Sequence, residues 1–195
     1  VVPDGYYSGP EDASETTRSE KTICPAGYYC VGGEKFECPA GSLGEAEGQW
    51  NPTCDGQCPR GYYCVGGEKH ECGSVDKYCP AGSSAPTNVT TGHYSGPSDV
   101  NENVRYEETL CPVGYYCVGG EKFECASGYF GNSTGLTTSQ CSGMCKDGYY
   151  CESGSTRDDQ HECGSVDKYC PAGSETPLVV PDGYYSGPED ASETT

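Results

Sequence analysis

The chain has 195 residues, among them 16 Cys, 29 Gly and 14 Pro but only three Phe, and 30 acidic residues against 11 basic ones leave a net charge of −19. So few large apolar side chains exclude an ordinary hydrophobic core, and a uniformly negative coat excludes a nucleic-acid phosphate backbone as partner. An even and abundant cysteine set replaces the core with covalent closure, as in small secreted domains, which predicts a disulfide-rich fold.

In chain order, residues 1–23 form a Ser/Thr-containing connector with the core DGYYSGP. Residues 24–79 follow as a first pair of cysteine-rich modules carrying Cys24, Cys30, Cys38, Cys54, Cys58, Cys64, Cys72 and Cys79. Short strands are expected at Gly27 to Val31 and Lys35 to Cys38, with Gly32-Gly33 as the turn, and at their counterparts. Residues 80–110 are a second connector, with TGHYSGP in place of DGYYSGP. Residues 111–170 are the second module pair, with Cys111, Cys117, Cys125, Cys141, Cys145, Cys151, Cys163 and Cys170, and residues 171–195 are a third connector. Gly and Pro interrupt every stretch in which a 3.6-residue period could build up, so helix is not expected. The connectors exceed ordinary loop lengths, and their recurring cores predict segments ordered against a neighbour.

Repetition operates at three levels. Val179 to Thr195 reproduces Val1 to Thr17 letter for letter, which predicts that the chain is a window on a longer tandem array with a 178-residue unit. Within it, the cysteines from Cys24 to Cys64 recur 87 positions later, whereas Cys163 and Cys170 come 91 positions after Cys72 and Cys79. The four additional residues between Cys151 and Cys163 are expected in a surface loop. Finally, CPAGYYCVGGEKFEC at Cys24 to Cys38 is echoed by CPRGYYCVGGEKHEC at Cys58 to Cys72. Internal symmetry of such four-cysteine modules favours first-to-third and second-to-fourth bonds: Cys24 with Cys38, Cys30 with Cys54, Cys58 with Cys72 and Cys64 with Cys79.

C-P-x-G-Y-Y-C stands at Cys24 to Cys30, Cys58 to Cys64 and Cys111 to Cys117, with CKDGYYC at Cys145 to Cys151 and CPAGS at Cys38 and Cys79. This pattern resembles the ephrin-receptor-like cysteine-rich repeats, relatives of TNF-receptor and EGF-like modules, over most of the chain outside the connectors. The resemblance implies small, disulfide-rich, β-poor modules stacked in tandem into an elongated rod, without catalysis, as in large surface proteins of algae and other protists and in animal receptors. The TNF-receptor-like frame implies a second pairing: Cys24 with Cys30, Cys38 with Cys54, Cys58 with Cys72 and Cys64 with Cys79. The two schemes share their last two bonds.

Other chemistries find weaker signals. Cys64, His70 and Cys72 lie close in sequence, as do Cys151, His161 and Cys163, but no C-x-x-C knuckle supports zinc. Glu11, Asp12 and Glu15 cluster near Asp4 without a D-x-D-x-D-G calcium loop, so a solvated acidic face is expected and no metal or cofactor. A nucleophilic cysteine needs a free thiol and a base, whereas all sixteen fit a repeating frame and His70, His93 and His161 are scattered, so no enzyme activity is expected. Each Tyr-Tyr pair is expected to point to both faces of its strand, one ring covering its own module and the other packing on the next; stacking on sugars and dityrosine cross-linking are the alternatives. Asn88-Val89-Thr90 and Asn132-Ser133-Thr134 are N-glycosylation sequons, and Pro52 disqualifies Asn51. Serine and threonine clusters in the connectors add candidate O-linked positions.

The longest apolar run, Leu178 to Val180, is far too short to cross a bilayer, and no amphipathic basic stretch suits a membrane surface, so no membrane contact is expected within these residues. The expected location is extracellular or at the cell surface, reached through the secretory pathway. The expected function is that of a structural subunit in a glycosylated, disulfide-stapled fibre or shaft, a flagellar-hair-like or surface filament whose partners are its own repeats and their glycans. The alternative is the stalk or ligand-binding region of a receptor or adhesin.

Overall fold

The structure, a computed structural model, describes residues 1–11 and 14–187. Each structural unit begins with one local event. Pro25-Ala26-Gly27-Tyr28 forms a β-turn in which the Tyr28 N–H donates to the Pro25 carbonyl at 3.2 Å, with Gly27 at φ 84°. A positive φ at the third turn position is the requirement of a type II turn, and glycine meets it without a Cβ clash. The turn launches a strand that returns as a hairpin through Gly32-Gly33.

Among the described residues this event recurs to give strands joined in consecutive two-stranded sheets. These are β1 (Tyr6–Gly9) with β2 (Glu20–Ile23), β3 (Tyr28–Val31) with β4 (Glu34–Glu37), and β5 (Ser42–Leu43) with β6 (Gly56–Gln57). They continue with β7 (Tyr62–Val65) and β8 (Glu68–Glu71), β9 (Lys77–Tyr78) and β10 (Thr87–Asn88), and β11 (His93–Gly96) and β12 (Glu107–Leu110). The last four are β13 (Tyr115–Val118) with β14 (Glu121–Glu124), β15 (Tyr129–Phe130) with β16 (Gly143–Met144), β17 (Tyr149–Tyr150) with β18 (His161–Glu162), and β19 (Lys168–Tyr169) with β20 (Leu178–Val179). A single 3-10 turn, Glu102–Val104, is the only helical element among the described residues. The fold is therefore disulfide-rich, nearly free of helix and built of small two-stranded sheets in tandem.

The chain divides into two compact units, Val1–Val89 with Ser95–Glu108, and Thr90–Tyr94 with Thr109–Thr195. In the first, each turn glycine ties its hairpin to the next through the backbone. Gly5, Gly27, Gly41 and Gly61 donate their N–H groups to the carbonyls of Cys30, Gly44, Cys64 and Cys79, at 2.7–2.9 Å. Their own carbonyls accept from Cys24, Cys38, Cys58 and Cys72, which close the respective hairpins. The second unit repeats the scheme, with Gly114, Gly128 and Gly148 donating to Gly131, Cys151 and Cys170. The connectors belong to the same series: Gly5 and Gly92 open β1 and β11 as the glycines of the cysteine modules open theirs, with φ of 84° and 79°.

All sixteen cysteines are paired, and fourteen of them are buried and constitute the core. The bonds are Cys24–Cys30, Cys38–Cys54, Cys58–Cys64 and Cys72–Cys79 in the first half, and Cys111–Cys117, Cys125–Cys141, Cys145–Cys151 and Cys163–Cys170 in the second. This corrects the pairings of Cys58 with Cys72 and Cys64 with Cys79 on which both sequence-based schemes agreed, and also Cys24 with Cys38 and Cys30 with Cys54. Two bonds implied by the TNF-receptor-like frame, Cys24–Cys30 and Cys38–Cys54, are present. The cause is the turn itself: reversal at Pro59-Arg60-Gly61 returns Cys64 to within 5.6 Å of Cys58, Cα to Cα, inside the range a disulfide spans. Cys64 then faces Lys69 across the hairpin, and Cys72 is left to meet Cys79 at 5.7 Å.

Candidate functional surface

The two faces of each hairpin carry different chemistry, because alternate residues along a strand point to opposite sides. On one face of β3/β4, Tyr29 stands opposite Phe36, and their rings stack at 5.3 Å. The same position holds Tyr63 with His70 at 5.2 Å, Tyr116 with Phe123 at 5.4 Å and Tyr150 with His161 at 5.0 Å. Such cross-strand aromatic pairs are the unit of sheet stabilisation where no core lies beneath.

On the other face, the lysine of GGEK reaches diagonally over the first tyrosine. Lys35 Nζ lies 4.8 Å from the Tyr28 ring centre and 5.1 Å from that of Tyr7 in the connector hairpin. It also pairs with Glu11 at 2.5 Å, and that hydrogen bond, ahead of the surrounding charges, raises its pKa above the ordinary lysine value. Lys122 is held likewise between Tyr94 at 5.0 Å and Tyr115 at 4.9 Å. Lys69 covers Tyr62 and pairs with Glu45 at 3.3 Å. A cation between two rings joins neighbouring hairpins, a role the sequence reading missed although the GGEK lysine accompanies three of the four GYYC motifs.

Both tyrosines of every GYYC hairpin are half-buried. One pairs across its own hairpin, and in Tyr28 and Tyr115 the other shares its lysine with the adjacent connector. Open tyrosines lie elsewhere, Tyr184 being 76% exposed.

The remaining candidates are distributed, not convergent. His70 and His161 are stacked on tyrosines, and Cys64, Cys72, Cys151 and Cys163 are all committed to disulfides. His93 lies with its Nδ1 3.4 Å from the Thr91 carbonyl. Among the described residues no three His, Cys, Asp or Glu side chains gather to hold a metal ion. Of the acidic cluster, Glu11 is the partner of Lys35, and Asp12 lies outside the described residues. An open cleft crosses the stacked backbones of Gly27, Gly44 and Gly67, walled by Tyr28, Val65 and Lys69.

Both sequon asparagines are exposed. Asn88 ends β10, its Oδ1 accepting from Lys77 Nζ at 3.3 Å. Asn132 comes just after β15; its N–H donates to Ser142 Oγ at 3.1 Å and its Oδ1 accepts from Ser133 Oγ at 3.1 Å. Two repeated carboxylates complete the electrostatics. The Ser74 hydroxyl donates to Asp76 and the Ser165 hydroxyl to Asp167, and these bonds hold both carboxyls below the usual carboxylate range.

Eight disulfides suit an extracellular or secreted, oxidising environment, and among the described residues no helix is long and apolar enough to cross a membrane. No protein-family model matches the chain, and no curated protein matches it.

Proposed function

We propose that the chain is a structural segment of an extracellular tandem-repeat fibre or shaft: disulfide-stapled, coated with glycans on Asn88 and Asn132, and without catalytic activity. The observation that carries this reading is that one hairpin plan, with one turn glycine, one aromatic pair and one backbone tie to its neighbour, recurs along the chain. Repeats that contact their neighbours form a quasi-one-dimensional body whose function lies in length, stiffness and surface. Lateral assembly asks for the same surface at every repeat, which the Tyr29/Phe36 and Tyr116/Phe123 faces, identical in sequence, supply. Disulfides in place of an apolar core suit an exposed polymer, and the acidic coat keeps neighbouring polymers apart except where they are built to meet.

Imaging of the native particle tests the reading. A filament with an axial repeat on the order of 100 Å is expected, well short of the ~600 Å that 178 extended residues would reach. Intact-mass analysis of the same material should find glycan on both asparagines. Compact single particles, or bare peptide at both sites, would favour the stalk of a receptor or adhesin instead.

A further inference from the structure

The loops closed by Cys38–Cys54 and Cys125–Cys141 lie 87 positions apart in the sequence and follow the same backbone course. Gly48 and Gly135 donate to the carbonyls of Cys24 and Cys111 at 2.7 and 2.8 Å, and Cys30 and Cys117 donate to those of Gln49 and Leu136, both at 2.8 Å. Each loop ends on a cysteine in the left-handed region, Cys54 at φ 51° and Cys141 at φ 48°. Their side chains nevertheless carry different chemistry. The first loop has Glu45 where the second has the sequon residue Asn132, and Trp50 where the second has Thr137.

Trp50 is the one tryptophan of the chain, and it is 59% exposed. The matching backbone around Thr137 shows that the fold does not call for an indole at this place. The loop on both sides of the ring is fixed. Asp55 accepts from the Ala46 N–H at 3.0 Å and from the Gln49 side-chain amide, and Asn51 Oδ1 accepts from the N–H and the hydroxyl of Thr53, both at 3.0 Å. The NH2 group of Asn51 takes part in neither of these bonds. A flat ring held in place beside amide donors is a platform for a pyranose, whose C–H face packs on aromatic carbon while its hydroxyls bond to the polar groups around it.

Electrostatics selects the occupant. Glu45 and Glu47 stand exposed in the same loop, and with a net charge of −19 on every chain a bare protein surface of a second copy is repelled at close approach. A neutral sugar is not repelled, and its hydroxyls can donate to the carboxylates. The equivalent loop of the other half presents an attachment point for such a sugar at the exposed Asn132.

We propose that Trp50 stacks on the N-linked oligosaccharide carried by Asn132 of a neighbouring copy, so that copies meet through sugar and 87 residues out of register. This rests on the fibre reading with its glycan at Asn132, and deepens it by naming a lateral contact. One ring on one sugar binds weakly, but linking many such contacts along an array raises the overall affinity by about 10²–10⁴.

Because Trp50 is the sole tryptophan, its fluorescence reads the contact without a label. Two variants of the complete glycosylated chain each remove one side of it. Asn132→Gln keeps the ring and loses the sugar, and Trp50→Thr keeps the sugar and copies the side chain that the same backbone already carries at Thr137. Alone, Asn132→Gln should emit at the long wavelength of a solvated indole. Titrating in Trp50→Thr should shift that emission to shorter wavelength and saturate; the shift should persist when the added chain also carries Asn88→Gln, and vanish when it carries Asn132→Gln or has been stripped by an endoglycosidase. No shift on mixing, or a shift that survives loss of the Asn132 glycan from the added chain, would overturn the contact. Absence of the shift with glycan present at Asn132 would leave the glycosylated fibre standing, whereas a bare Asn132 in native material would overturn both.

Discussion

Gly66 and Gly67 are adjacent in one turn, both have positive φ, at 57° and 80°, and alanine at the two positions should have very different effects. At Gly66 an added Cβ meets nothing within 4 Å, so the cost is left-handed strain of about 1–2 kcal/mol, offset partly by a less flexible unfolded chain, for a net of about 1 kcal/mol. At Gly67 the same Cβ lands 2.7 Å from the Gly27 Cα and 3.2 Å from the Gly44 Cα. Both neighbours are backbone and cannot rotate aside, so overpacking adds about 2 kcal/mol to the strain, for a total of about 3 kcal/mol. The contact that must yield is the tie from Gly44 N–H to Gly67 O, 2.9 Å long. Native-state hydrogen exchange at the Gly44 amide reads this opening directly. Gly66→Ala should reduce protection about fivefold and Gly67→Ala by more than about a hundredfold, with the disulfide map unchanged in both. Equal effects at the two positions would refute the close glycine stack as the seam between hairpins.

Non-reducing peptide mapping should recover Cys58–Cys64 and Cys72–Cys79 as separate local loops; a peptide joining Cys58 to Cys72 would return the decision to the sequence-based frames. Because Asp76 and Asp167 titrate below their ordinary value, their bonds to Ser74 and Ser165 contribute stability above about pH 4 that is lost as the pH falls through the depressed folded values. Ser74→Ala should therefore raise the Asp76 pKa in an NMR titration, and an unmoved titration curve would count against the hydroxyl as its cause. Lys35→Met keeps the stem but removes the charge between Tyr7 and Tyr28, and should cost about 1 kcal/mol in urea unfolding, more than Lys69→Met, whose lysine covers one ring. No difference between them would show that the shared cation does not tie the hairpins.

Much of the fold was legible where residue chemistry acts locally. Gly27 to Val31 and the strand after Gly32-Gly33 are set by turn glycines and alternating faces, and β3 and β4 lie within a residue or two of those limits. Pairing was not legible, because symmetric spacing says nothing about which cysteine a turn brings near; the turn at Gly61 decides it, and four copies of one heptapeptide each closing on themselves was the overlooked simple solution. The connectors, expected to be ordered against a neighbour, are bonded to the adjacent hairpin through Gly5 and Ser8. Lacking cysteine, they did not read as modules, yet DGYY and TGHY place Gly5 and Gly92 where PAGYY places Gly27. The lysine clips escaped notice because they depend on a diagonal across the hairpin, which is fixed only once the register of Cys30 with Lys35 is known.

The hairpins are joined by backbone, and that separates the architecture from its decoration. The largest sequence separation in any disulfide is 16 residues, so no disulfide links distant modules, and the ties between neighbours are backbone N–H to carbonyl bonds, many of them donated by the turn glycines. Side chains on the outside can then vary without disturbing the seam: Asn132 stands where the first half has Glu45, and Asn88 where the later copy has Val179, with the strand pairing at β10 and β20 unaltered. The longer Cys151 to Cys163 segment makes the same point under greater strain. It shortens the hairpin to the two residue pairs of β17/β18, yet Gly148 still donates to Cys170 at 2.9 Å and Cys163 to Gly148 at 3.0 Å, and Gly131 finds the Ser155 carbonyl at 2.9 Å just as Gly44 finds that of Gly67. A repeat held in this way can acquire a loop or a glycan on one module and pass the same geometry to the next, which is the property a long extracellular array requires of its parts.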